Sequence, residues 1–263
     1  MPPDVADAIV RIESQTFIRH IDWFDELGST NDYALSISAD PELTTPRLIW
    51  TDRQLAGRGR SGHAWWSARG SLTFSLLLDR DVSRLPPEVW PQISLVTGLA
   101  IAEALADEVP GQSVGVKWPN DIQIDGLKVC GILMEPSPRH SGRLVVGVGI
   151  NVMNSFREAP AELRAIATAL CDQQSTAREP IAVLLNVLQR WSEFVERLQR
   201  GELHLPSEWQ RRCVLTNRRV RVTMGSTSLE GYCRGIDESG ALLVETSQGT
   251  VRQVAGTVRL IGA

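Results

Sequence analysis

The chain has 263 residues, of which 43% are hydrophobic and 22% charged, ordinary globular proportions that exclude a disordered tail or a fibrous protein. That length suits one large domain, or one domain with a small appendage. Its 27 Lys and Arg against 31 Asp and Glu leave a net charge of −4, so nothing draws the whole molecule to nucleic acid or an anionic membrane, and any anion site has to be local.

The chain opens Met1-Pro2-Pro3-Asp4 with no basic region ahead of an apolar stretch, and no apolar run is long enough to span lipid. A cytoplasmic protein is expected. Cys130, Cys171, Cys213 and Cys233 are scattered without a C-x-x-C pair, which favours reduced thiols that pack as small apolar side chains. His20, His63, His140 and His204 are equally dispersed, so no zinc-ligand spacing forms and no protein-held metal is expected. Of the 27 cations, 25 are Arg; the two lysines, Lys117 and Lys128, fall in one short segment. A retained Lys marks a place suited to a compact ammonium rather than a planar fork.

In chain order, Val5 to Glu13 reads as a short helix and Ile21 to Glu26 as a strand feeding a turn at Gly28. Ser29 is then the N-cap of a helix through Ala34 to Ile37. Leu48 to Asp52 and Ser71 to Leu78 read as strands, enclosing a long Gly- and Trp-bearing connection from Gln54 to Gly70. Beyond Pro91, Leu95, Leu99, Ala102 and Leu105 recur at helical spacing with an apolar reverse face, as in a buried central helix. Strands follow at Val114 to Trp118, Ile122 to Ile124, Lys128 to Glu135 and Arg143 to Asn151, with Asp125-Gly126 as hairpin turn chemistry and Gly147 and Gly149 interrupting the last. Pro180 opens an amphipathic helix with Leu184, Leu188, Trp191, Val195 and Leu198 on one stripe. After about Arg212, short strands at Arg219 to Met224, Leu229 to Ile236, Ala241 to Glu245, Thr250 to Val254 and Val258 to Ile261 read as a small β-barrel. Some 50 residues bury little core, so this unit is expected to dock on the larger one.

Four stretches carry chemistry. Gly57-Arg58-Gly59-Arg60-Ser61-Gly62 matches G-x-G-x-x-G literally, but residues His63 to Gly70 lack helical periodicity, so no helix N-terminus would receive a dinucleotide pyrophosphate. It remains either a solvated loop or a binding loop in which glycines free backbone amides, Arg58 and Arg60 offer forked donors to carboxylate or phosphate, and Trp65 covers an apolar group. Lys117-Trp118-Pro119-Asn120-Asp121 ends a strand, and its Asn-Asp pair serves either a turn or a ligand. The hairpin return brings Lys128 toward Asn120, with a surface salt bridge as the alternative. Gly147 to Asn151 allows close approach of a ligand or forms a bulge. Gly28-Ser29-Thr30-Asn31 places hydroxyls and an amide at a helix start, where capping accounts for Ser29 alone.

Together, Ser29-Thr30-Asn31, Gln54-x-Ala56-Gly57-Arg58-Gly59-Arg60, Lys117-Trp118-Pro119-Asn120-Asp121, Lys128 shortly before Gly131-Ile132-Leu133, and Gly147-x-Gly149-Ile150-Asn151 closely resemble the biotin protein ligases over nearly the whole chain. The resemblance implies an α+β fold: a mixed, largely antiparallel sheet with packed helices over residues 1–211, and a small β-barrel over 212–263. It also implies an enzyme that joins biotin and magnesium-bound ATP into biotinyl-5′-AMP and passes biotin to a lysine of a biotin carboxyl carrier domain. Carried over by motif, Lys128 and Arg58 are catalytic. Ser29, Thr30, Asn31, Gln54, Gly59 and Gly131, with Arg58, Arg60 and Lys128, are biotin-side positions. Arg58, Arg60, Trp65, Asn120 and Asn151 are nucleotide-side positions, and Asp121 meets magnesium through water. The glycine-rich connection is then a lid that keeps the mixed anhydride from water.

Two positions depart from the family pattern: His63 stands where a third Arg is usual, removing a permanent cation, and Cys130 replaces a small Ala. Some relatives carry a DNA-binding module; fewer than about 25 residues precede the first strand here, too few for a helix-turn-helix, so no operator binding is expected. A homodimer joined through a sheet edge is common among such proteins, but no residue of this sequence carries that expectation. The competing readings are a lipoate ligase or related acyl transferase, and a nucleic-acid-binding protein using the Arg/Gly loop.

Overall fold

The computed structural model describes residues 2–80, 89–174 and 179–262. Seven strands form the larger sheet: β1 (His20–Leu27), β2 (Arg47–Gln54), β3 (Ser71–Asp79), β4 (Val114–Lys117), β5 (Asp121–Ile124), β6 (Leu127–Pro136) and β7 (Arg143–Asn151). Their order is β1-β2-β3-β7-β6-β5-β4. Only β1 and β2 run parallel; every other neighbour pair is antiparallel. The α+β, mixed but largely antiparallel architecture is thus as the resemblance implied.

Strand alternation divides this sheet into two unlike faces. Leu72, Phe74, Leu76 and Leu78 on β3, Leu144, Val146, Val148 and Ile150 on β7, and Cys130 and Ile132 on β6 all enter one core. That face lies under α3 (Trp90–Glu108) and α4 (Pro180–Gln199), with α1 (Pro3–Gln15) alongside. α3 buries residues all round its circumference, and Trp191 Nε1 of α4 donates to Thr97 Oγ1 at 3.0 Å. On the opposite face, α2 (Thr30–Ile37) covers one end through Ala34 against Ile49, Leu77 and Val145. The rest of that face presents small and polar positions of β3, β6 and β7, and Gly131, Gly147 and Gly149 of β6 and β7 floor a cavity.

The glycines of β7 do not break it. Its register with β3 and with β6 is regular through Gly147 and Gly149, so neither bulges nor ends the strand. At Asp125-Gly126 both residues have positive φ, 48° and 87°, the geometry of a two-residue hairpin turn.

The second sheet corrects the expected barrel. β8 (Arg219–Met224), β9 (Thr227–Ile236), β10 (Leu242–Thr246), β11 (Gly249–Gln253) and β12 (Thr257–Leu260) form a five-stranded antiparallel sheet of order β11-β10-β9-β8-β12. The edges β11 and β12 do not pair, so the sheet stays open. Closure is unnecessary because its inner face is covered from outside: Val220, Val222, Cys233, Leu242, Val244 and Val258 belong to the same core as the larger sheet. Trp118 Nε1 donates to Gly240 O across the junction at 3.1 Å, and Val214 N donates to Val116 O. A further helix, α5 (Leu205–Arg212), leads into this sheet. It has no counterpart among the elements read from the sequence, because in eight mostly polar residues only Leu205 and Trp209 are buried, too short a stripe to show a period. Among the described residues, no helix is long and apolar enough to cross a membrane.

Candidate active site

The glycine-rich connection is a tight hairpin. Trp65 N donates to Gly57 O and Gly59 N to His63 O, at 2.8 and 2.7 Å, with Arg58 and Ala64 bridged as cross-strand partners. The turn is made by Ser61 and Gly62 at positive φ, 55° and 77°. This hairpin lies over the open face of the larger sheet and roofs a cavity of about 210 Å³.

The floor explains the glycines below it. A side chain at Gly147 would collide with the Asn31 amide, and one at Gly149 with the Trp65 indole. Gly131, the cross-strand partner of Gly149, lies under the same indole. Glycine is therefore required where Asn31 and Trp65 approach the backbone. Trp65 Nε1 is buried and, among the described residues, has no hydrogen-bond partner.

Lys128 reaches the cavity through a bulge. Between β5 and β6 the register steps from Ile122↔Cys130 to Gln123↔Lys128, leaving Val129 as the extra residue. Regular alternation would put Lys128 and Gly131 on opposite faces; the extra residue turns Lys128 to the cavity side. Its ammonium lies 2.6 Å from Asp121 Oδ1 and 5.9 Å from the centre of the Trp65 ring. Lys117 also lines the cavity. Burial, the largest influence, lowers its pKa; Lys128 and Arg259 push the same way and Asp121 opposes them.

Buried at the opposite wall are Ser29, Thr30 and Asn31. Ser29 caps α2, accepting from Asp32 N at 3.4 Å. Gln54 Oε1 accepts from Thr30 N at 2.8 Å. Asn31 Nδ2 donates to Leu133 O and Glu135 Oε2 at 3.1 and 2.8 Å. Ser75 Oγ lies 2.6 Å from Asn31 Oδ1 and 2.7 Å from Thr30 Oγ1. Arg58 forks onto Glu135, Nη1 to Oε1 at 3.1 Å and Nη2 to Oε2 at 2.7 Å, with Asp32 also at 2.7 Å. The hydrogen bonds to Glu135 are the main cause of the raised Arg58 pKa. Arg60 donates to Asn120 Oδ1 at 3.2 Å; among the described residues no carboxylate lies within ion-pair distance of it, and burial lowers its pKa.

Ser29, Thr30, Asn31, Gln54, Arg58, Gly59, Arg60, Trp65, Asn120, Asp121, Lys128 and Gly131 thus line one cavity, and His63 is at its rim. Asn151 is placed elsewhere. It is buried, its Nδ2 donating to Thr168 O and its Oδ1 accepting from Asn154. Thr168 N in turn donates to Lys128 O, so Asn151 holds the segment that straps the edge of β6 behind Lys128. Sequence reasoning missed Ser75 and Glu135, which hold the lining residues Asn31 and Arg58, and the wall formed by Gly256, Thr257 and Val258 at the start of β12. Only the alternation of β3 and β6 hinted at the first two, and nothing local pointed to the third. Cys130 is buried on the core face, and Cys233 is buried in the core that the two sheets share, with Cys213 packed against that core.

A profile of the Biotin/lipoate A/B protein ligase family matches residues 23–151, and one of the Biotin protein ligase C terminal domain matches residues 216–260. The chain is 30% identical over 243 residues to a biotin--[acetyl-CoA-carboxylase] ligase of Mycobacterium tuberculosis, covering 91% of this chain and 88% of that one. It is 29% identical over 269 residues to the bifunctional ligase/repressor BirA of Bacillus subtilis, covering 98% and 80%. The structure resembles that of the Aquifex aeolicus biotin protein ligase in complex with biotin and ATP, with a TM-score of 0.80 and 29% identity over 92% of this chain and 100% of the other. Motifs, cavity and relatives agree, and the chain belongs to the biotin protein ligase family.

Proposed function

We propose that this cavity activates biotin with ATP, giving biotinyl-5′-AMP and pyrophosphate, and then passes the biotinyl group to a lysine amine of a carboxyl carrier domain, releasing AMP. One observation supports this above all: both lysines of the chain line the same cavity as Arg58 and Arg60, in a protein of net negative charge. Two anions must meet in the first step. Unit charges about 4 Å apart repel by about 1 kcal/mol in water and roughly 4 kcal/mol at an effective dielectric near 20, so a closed site needs fixed cations between them.

In this reading a biotin carboxylate oxygen attacks the α-phosphorus while the bond to the β-phosphate breaks. The carrier amine then attacks the biotinyl carbonyl, AMP leaves, and the amine sheds a proton. Lys128, held by Asp121 and the Trp65 face, stabilises charge on the phosphoryl and carbonyl oxygens. Arg60 faces the phosphates, and Asn31, Thr30 and Gln54 surround the biotin head group. Trp65 covers the adenylate from above Gly131 and Gly149. Magnesium arrives with ATP as part of that substrate; it keeps most of its water and phosphate ligands, and Asp121 is the acidic side chain on the cavity wall that would meet it. Residues 1–211 form the catalytic unit and 212–263 the second, which closes one side of the cavity with the start of β12.

The test is to incubate the purified protein with biotin, magnesium and ATP and look for bound biotinyl-adenylate by mass spectrometry, with lipoate as competitor. Biotinyl-adenylate unaffected by lipoate is expected. A lipoyl-adenylate instead would favour the acyl-transfer alternative, and no adenylate of either kind would overturn the reading.

A further inference from the structure

Glu135 belongs to none of the motifs that define the cavity, yet its carboxylate joins two of them. It accepts three hydrogen bonds: two from the Arg58 fork in the hairpin and one from Asn31 at the start of α2. The same atom, Oε2, holds both Arg58 Nη2 and Asn31 Nδ2. With its side chain 26% exposed against 56% for Asp32, Glu135 is the less screened of the two carboxylates on Arg58.

The Asn31 amide is thereby oriented. Both Nδ2 protons are committed, to Glu135 and Leu133 O, so Oδ1 faces Ser75 and lies over Gly147, which lines the cavity with Asn31. Because Oδ1 can only accept, the Ser75 hydroxyl must donate to it, which leaves the Thr30 hydroxyl proton for Ser75 or Gln54. Asn31 consequently offers a ligand an acceptor, suited to an N–H of a cyclic urea.

We propose that Glu135 is a positioning residue for biotin: it sets the Asn31 amide and the Arg58 guanidinium in one arrangement and so ties the Gly57–Trp65 hairpin to the head-group wall. This rests on the function proposed above. In Glu135→Gln the shape stays, but the charge is lost and one fork arm of Arg58 faces an amide N–H₂. Equilibrium binding of biotin alone should weaken about tenfold, as for a lost charge-assisted pair. The KM for ATP should change less than about twofold and Tm by no more than about 2 °C. In an Arg58→Ala background the same change should cost less than in the wild type, because one of its two partners is already gone.

Glu135→Asp keeps the charge and draws it back by one methylene, so its biotin Kd should rise less and in the same direction. Wild-type biotin affinity in both variants, a fall in Tm without a change in biotin Kd, or tighter binding on removing the charge each overturns the proposal. Absence of biotin binding by the wild-type protein would instead overturn the function on which it rests.

Discussion

Arginine and lysine meet carboxylates in two parts of this molecule with opposite consequences. On the second sheet, Arg219 and Arg221 pair with Glu230, Arg234 with Glu245, and Arg252 with Asp237, all at the surface. Most join neighbouring strands, and the partners of Glu230 among the described residues, Arg219 and Arg221, do not line the cavity. Around the cavity, by contrast, two ion pairs share their atoms with ligand-facing groups: in Arg58–Glu135 the carboxylate also holds Asn31, and in Lys128–Asp121 the ammonium also meets the Trp65 ring and Gly131. Exposed pairs are worth about 0–1 kcal/mol. A half-enclosed pair whose atoms orient a binding group acts on affinity and rate rather than on folding. What a pair holds, more than its length, decides its role.

The difference can be broken first at Lys128. Lys128→Ala should slow pyrophosphate release about 10²–10³-fold, the usual cost of one preorganised donor, with thermal unfolding nearly unchanged. Near-normal release would place Lys128 with the surface pairs. Next, Gly149→Ala puts a methyl group where the Trp65 indole lies, and the KM for ATP should rise about tenfold while urea stability changes little.

Trp118→Phe removes the bond to Gly240 O at the junction and leaves a buried acceptor unpaired. It should cost about 1–2 kcal/mol in urea denaturation, with both sheets unfolding together because they share one core. The pH dependence sharpens the surface side. Burial raises the Asp237 pKa, but hydrogen bonds from Arg252, Ser239 and Ala241 N outweigh it and bring the carboxyl down to about 2. With an unfolded value near about 3.9, the folded value is the lower one. Its contribution is therefore present above pH of about 4 and disappears as pH falls toward 2; Asp237→Asn should flatten an acid stability titration in that window. The smallest effect belongs to Arg221→Ala, less than about 0.5 kcal/mol and weaker still in high salt.

Much of the architecture is legible in local pattern. The alternation of β3 and β7, the Asp125-Gly126 turn and the stripe of α4 all follow from side-chain period and turn chemistry. The Gly57–Trp65 hairpin is not, because its two backbone pairings leave no hydrophobic alternation. α5 is missed for want of length. The open second sheet reads as a barrel from the sequence, since strand spacing says nothing about whether the two end strands meet. Within the site, motif order pointed to the residues that line the cavity, whereas Asn151 matches a motif position and sits behind Lys128 instead.

By itself, then, the sequence determines the strand and helix periods, the single neighbourhood of two lysines and the motif succession that marks the family, because each is a property of residues close in the chain. Only tertiary structure decides that a bulge at Val129 turns Lys128 inward, that β12 walls the cavity, and that Glu135 meets Asn31 from 104 positions away. Such contacts are set by how two distant backbones are held against one core, and that geometry has no signature in either segment alone.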